Sequence, residues 1–308
     1  MLTLIAPHYG LFPLKGKPAI MLSMKTMLLP ILAGAVMLTG CATCQKTGSF
    51  QGPPGLQLYS LREDFAKDVP GSLKMAKDFG FREVELAGTY KLSPAEFKKQ
   101  LDEAGLVPIA GHFGYDQYVK DPEAVARDAK ALGLKYAGCA WAGHKPQFDE
   151  KQCRAVAEVF NKAGAALAKH GIKFFYHNHG FEFVPRGDGT TLFDLLMELT
   201  DPKTVSFQMD VLWTVFPGQD PVKLLEKYGS RWELMHLKDL KKGVATGSLA
   251  GTTDKTNDVP IGSGQVDYPA VLRAAQKVGV KYYFIEDESP TVHEQLPQTL
   301  KFMREVRW

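Results

Sequence analysis

The chain has 308 residues, 45% of them hydrophobic and 23% charged, a composition that buries a large core and excludes a disordered polyelectrolyte. Its net charge is only +3, and Lys and Arg are interleaved with Asp and Glu, which argues against nucleic acid as a partner. The four cysteines, Cys41, Cys44, Cys139 and Cys153, are too few and too scattered to form a disulfide framework for a chain of this length.

In chain order, the first segment reads as an address. From Met24, taken as the true start, one Lys precedes an apolar run from Met27 to Leu38 and then small residues ending at Cys41. The run falls short of the roughly 20 apolar residues a transmembrane helix needs, so residues 1–40 are expected to be a signal region. Leu38-Thr39-Gly40-Cys41 resembles a bacterial lipobox, which implies cleavage before Cys41 and lipid on its thiol. The protein is therefore expected to be exported and to face the periplasm, touching membrane only through the anchor. Cys44 completes a CxxC with Cys41, a weak signal without a second pair. Residues 42–55, rich in Gly and Pro, are expected to be a tether.

From Leu56 onward, short β-rich runs alternate with amphipathic stretches. The strand candidates are Leu56–Ser60, Glu83–Ala87, Val107–His112, Tyr136–Trp141, Ile172–His177, Val205–Asp210, Trp232–Lys238 and Tyr282–Glu286. Between them lie helical patterns such as Pro70–Phe79, Ser93–Ala104, Pro122–Leu132 and Asp149–His170. Ser93 and Glu96 form a capping-box signal around Pro94, and Gly80, Gly105, Gly133, Gly171 and Gly279 each punctuate a helix before the next strand. Eight such units over residues 56–308 predict one α/β domain, a (β/α)8 TIM barrel, which typically uses about 250 residues. An open doubly wound sheet would be favoured by a G-x-G-x-x-G after the first strand, and none is present.

In such a barrel the C-terminal strand ends share one mouth. This chain puts Glu85, His112, His177-Asn178-His179 with Glu182, Asp210, His236 with Lys238, and Glu286 at or just past those ends. A lone strand histidine is usually a hydrogen-bonded core residue, but Asp210, Glu286 and His236 together pose a burial problem that one divalent ion would solve. Carboxylates with one imidazole suit Mn²⁺, Mg²⁺ or Co²⁺ and are compatible with Zn²⁺.

The segments Leu56-Gln57-Leu58-Tyr59-Ser60-Leu61-Arg62, Val84-Glu85-Leu86-Ala87-Gly88, Tyr176-His177-Asn178-His179 with Phe181-Glu182-Phe183, His236-Leu237-Lys238-Asp239 and Phe284-Ile285-Glu286 resemble the xylose-isomerase-like sugar phosphate isomerase/epimerase superfamily. The resemblance covers the whole domain from Leu56. It implies one catalytic divalent metal held by a carboxylate after strand five, Asp210 after strand six, His236 after strand seven and Glu286 after strand eight. Many relatives carry Glu-Asn-His where this chain has His177-Asn178-His179, so the strand-five ligand is either Glu182 or His177. Glu182 is preferred, which leaves the histidines for proton transfer. DNA-repair endonucleases of the same fold carry Asp-x-x-His after strand six, and here Trp213 replaces that His.

The function so implied is enolisation of a sugar or keto-sugar by a metal-dependent isomerase or epimerase. His177, His179, His112 and Lys238 are the catalytic candidates; Glu85, Arg62, Trp141 and Trp213 are candidates for substrate contact, with Glu85 alternatively pairing with Arg62. Two alternatives stand beside it: a lyase or hydrolase of 3-keto-glycosides working through the same enolate, and a non-catalytic sugar-binding lipoprotein. Gly262-Ser263-Gly264 is either a phosphate-binding turn or a plain one. Oligomeric state is not legible in the sequence.

Overall fold

The computed structural model describes residues 48–144 and 147–308; the signal region, Cys41 and Cys44 lie outside the described residues. Eight parallel strands close into a barrel: β1 (Gly55–Gln57), β2 (Glu83–Leu86), β3 (Val107–His112), β4 (Tyr136–Cys139), β5 (Lys173–His177), β6 (Val205–Asp210), β7 (Trp232–Leu237) and β10 (Tyr282–Ile285), with β10 pairing back to β1. Two short strands in the connection after β7, β8 (Asp239–Leu240) and β9 (Asp258–Val259), pair antiparallel.

The helices around this barrel are α1 (Arg62–Phe65), α2 (Val69–Asp78), α3 (Pro94–Glu103), α4 (Tyr115–Lys120), α5 (Pro122–Ala131), α6 (Glu150–Ala168), α7 (Leu192–Leu199), α8 (Val211–Val215), α9 (Pro221–Tyr228), α10 (Tyr268–Val278) and α11 (Val292–Glu305). The Ser93–Glu96 capping box forms at the start of α3. Gly80 and Gly279, with φ of 100° and 86°, end α2 and α10 in the left-handed region that a β-carbon resists. The first strand is shorter than expected, because Leu58–Leu61 coil into a 3-10 turn after Gln57. Residues 48–55 also depart from the expected tether. Gly48 exchanges both backbone hydrogen bonds with Trp308, at 2.8 and 3.1 Å, and the Phe50 ring packs edge-on against Tyr283.

Strand alternation fixes what points into the barrel. The floor is apolar, with Ile109, Ala110, Tyr136, Phe175, Leu234 and Phe284 packed as one cluster. Gly138 makes room for it: a β-carbon there would lie 2.4 Å from the Phe175 ring. Above the floor the inward positions turn polar, to Gln57, Glu85, Gln208, His177 and His236. The register shifts between Val84 and Glu85 and between Phe207 and Gln208 fall next to two of these residues. Bulges of this kind re-aim a side chain beside an active site.

Candidate active site

Three of the predicted metal ligands meet at the mouth. Asp210, His236 and Glu286 each offer an atom within 4.8 Å of the others. His236 Nδ1 lies 3.2 Å from Glu286 Oε2 and 3.9 Å from Asp210 Oδ2. His177 joins from β5, its Nε2 standing 3.8 Å from the same Asp210 Oδ2.

Asp210 has two unlike oxygens. Oδ1 caps α8 by accepting from the Trp213 N–H at 2.9 Å, whereas Oδ2 is buried without a hydrogen-bond partner. Burial raises the Asp210 pKa against the pull of Lys238. An orphaned carboxylate oxygen is costly in a native interior, and a divalent cation between Oδ2 and the two imidazole nitrogens would satisfy it.

The layer beneath sets the two histidine tautomers. Gln57 and Gln208 donate their side-chain N–H groups to Glu85, at 2.8 and 2.9 Å. The Gln208 oxygen is thereby turned to His177 Nδ1, 2.8 Å away, so Nδ1 carries the hydrogen and Nε2 presents its lone pair toward Asp210. His236 Nε2 hydrogen-bonds Glu85, which leaves Nδ1 facing Glu286 and Asp210. Burial works against a charged His236, but the Glu85 and Glu286 carboxylates push its pKa up to about 10. Carboxylate-to-histidine support of this kind orients metal-binding imidazoles. A cation would take the place of the proton on Nδ1. His112, His177 and His236 also come within 4.8 Å of one another, yet His112 Nε2 is turned to Gln208 and Glu85, at 3.3 and 3.5 Å. The carboxylate-bearing group therefore fits a cation better than the three histidines.

Three expectations need correction. Glu182 does not reach the cluster: its carboxylate accepts the Tyr176 hydroxyl and the N–H groups of His179 and Gly180, so it holds the turn after β5. Glu85 does not face substrate, being fully buried below the ligands. Arg62 does not pair with Glu85; it donates to the Tyr59 and Glu288 carbonyls, at 3.1 and 2.9 Å. Asp239 settles the nature of the Gly262 turn. Its Oδ2 accepts from Gly262 N and Gly264 N, at 2.9 and 3.0 Å, so an internal carboxylate already occupies the position an anion would take.

Above the ligands opens a cleft of about 530 Å³, lined among others by His112, His179, Trp141, Trp213, Tyr59 and Glu288. Trp141 is 42% exposed, while Trp213 is buried against the cleft with the Lys238 ammonium 5.5 Å from its ring centre. Lys238 is buried, 3.3 Å from Glu286 Oε2, and is also paired with Glu288. Burial opposes its charge, but Glu286, Glu288, Asp210 and Asp258 keep it protonated. His179 is different in kind: burial drops its pKa to about 3, and its Nδ1 has no partner. Asn178 ties β5 to β6 by accepting from Asp210 N at 3.1 Å.

Sequence reasoning overlooked Gln57, Gln208 and Glu288. The signal for Gln208 was its place two residues before Asp210, on the same strand face inside an apolar run. Glu288 lies past the last strand and carried no such signal.

Residues 73–306 match the family described as the xylose isomerase-like TIM barrel. An inosose dehydratase from Clostridium botulinum is 25% identical over 254 residues, spanning 72% of this chain and 83% of its own length. A solved structure of a sugar phosphate isomerase/epimerase from Parabacteroides distasonis superposes with a TM-score of 0.69 at 27% identity, covering 83% of this chain and 99% of that one. The IolI protein, solved with a bound zinc atom, shares the fold at 13% identity, with a TM-score of 0.63 and coverage of 82% and 96%. The chain thus belongs to the xylose isomerase-like TIM barrel family.

Proposed function

We propose that this protein is a metal-dependent lyase that enolises a keto-sugar or keto-cyclitol and expels an oxygen β to the carbonyl. The observation that carries the reading is the buried, unpartnered Asp210 Oδ2 facing His177 Nε2 and His236 Nδ1. His177, Asp210, His236 and Glu286 would hold one divalent ion. Bound there, such an ion supplies Lewis-acid stabilisation of the charge that develops on a carbonyl oxygen when the neighbouring C–H ionises. The zinc-bound relative supports a divalent ion without fixing its identity.

The chain's own groups handle the protons. His179, which lines the cleft beside Trp141 and Trp213, takes the α proton. The electron pair of that C–H bond becomes the enolate, then the new C=C bond as the C–O bond breaks. His112, which lines the cleft, gives the departing oxygen its proton. Lys238, held charged beside Glu286, fixes that carboxylate in its ligating position. Trp141 offers an exposed aromatic face for the sugar ring.

The dehydratase relatives put elimination ahead of the isomerase reading expected at first. Isomerisation or epimerisation stands second, supported by the Parabacteroides neighbour. Incubating metal-loaded protein with an inosose and with 3-keto-glycosides in D2O separates the cases. Deuterium α to the carbonyl with released water or aglycone supports the lyase. Deuterium with the C–O bond intact transfers the assignment to an isomerase or epimerase, and no exchange at all leaves a sugar-binding protein.

A further inference from the structure

The end of the barrel opposite the mouth is ringed with cations. Arg82, Lys135, Lys173, Lys203 and Lys281 all stand at, or within two residues before, the start of a parallel strand, so every one lies at the N-terminal face. Two clefts there, of about 670 and 630 Å³, share Lys135, Lys281 and Tyr282 and so form one continuous surface. The carboxylates lining them are Glu83 and Glu233, and Glu233 is buried and taken up by Lys173 and Lys281. Arg82, Lys135 and Lys203 are exposed and form no ion pair among the described residues. Residues 1–47 contain no Asp or Glu that could neutralise them. Half-buried aromatic rings, Tyr282 and Trp308, line the same surface.

The chain enters the domain at this face. Gly48 is pinned to Trp308 by two backbone hydrogen bonds, and Ser49 bridges Arg307. Cys41 precedes Gly48 by seven residues, a reach of at most about 25 Å when fully extended. Lipid on Cys41 would therefore confine the cationic face to the neighbourhood of the headgroups, where surface charges within about 10 Å interact strongly.

We propose that the N-terminal face docks on an anionic lipid surface through Arg82, Lys135 and Lys203, with the active-site mouth turned toward water. The docking rests on lipid attachment at Cys41 and is independent of the reaction proposed above. Polybasic surfaces beside an anchor bind acidic headgroups in this way, and here the arrangement leaves substrate access unobstructed.

Energy transfer tests it on the lipidated mature protein, beginning at Cys41 and carrying Cys44→Ser. A donor is attached at Gln276→Cys on the N-terminal face or Thr252→Cys at the mouth, Cys139 and Cys153 being buried. The acceptor sits on the headgroups of vesicles made of phosphatidylglycerol and phosphatidylcholine, or of phosphatidylcholine alone. The expected result is stronger transfer from position 276 than from 252, with the difference shrinking in phosphatidylcholine alone, in about 1 M salt, and in the Arg82→Glu/Lys135→Glu/Lys203→Glu variant. Equal transfer from both positions, an orientation indifferent to lipid charge, or an intact mass showing no lipid on Cys41 would each overturn the proposal.

Discussion

Two carboxylates of the barrel are treated in opposite ways. Glu233, at the N-terminal end, is met by Lys173, by Lys281 at 2.8 Å and by the Tyr136 hydroxyl at 2.7 Å, and these partners lower its pKa despite burial. Asp210, at the C-terminal end, has one oxygen capped and the other left without a partner. The same fold thus satisfies its charge fully where only stability is at stake. It leaves a carboxylate oxygen unpartnered at the mouth, where the proposed ion and substrate would be received.

Breaking each end should give unlike results. The largest effect is expected for Asp210→Ala, which should abolish bound metal and turnover while leaving the far-ultraviolet circular dichroism unchanged; metal analysis and a turnover assay read both. His179→Gln should lower kcat by about 10²–10⁴-fold with full metal content, because it removes a proton acceptor and no ligand. Glu85→Gln should weaken metal binding by about 10–100-fold through loss of the support to His236, measured by competition with a chelator. Glu233→Gln should cost about 1–2 kcal/mol in denaturant unfolding, since Lys281 keeps access to water, and should leave metal content and turnover untouched.

The barrel was legible because its signals repeat: eight apolar runs, helix-ending glycines and a capping box recur in one order, and each is local physics. Asp210, His236 and Glu286 were legible because ionisable groups ending buried strands demand an explanation. Glu182 misled because spacing along a loop does not say which way a carboxylate turns, and here the N–H groups of His179 and Gly180 turn it inward. Gln57 and Gln208 escaped notice because a neutral amide in a strand carries no charge to account for, although their bonds to Glu85 decide which histidine nitrogens are free. The polar layer is a property of strand register across the whole barrel, and no single segment contains it.

The most direct test of the account compares bound divalent metal in His177→Ala and Glu182→Gln. His177→Ala is expected to lose the ion or bind it far more weakly, while folded Glu182→Gln is expected to keep one ion per chain. Full retention in His177→Ala, or loss in folded Glu182→Gln, would contradict the assignment of His177 Nε2, Asp210 Oδ2, His236 Nδ1 and Glu286 Oε2 as the metal site.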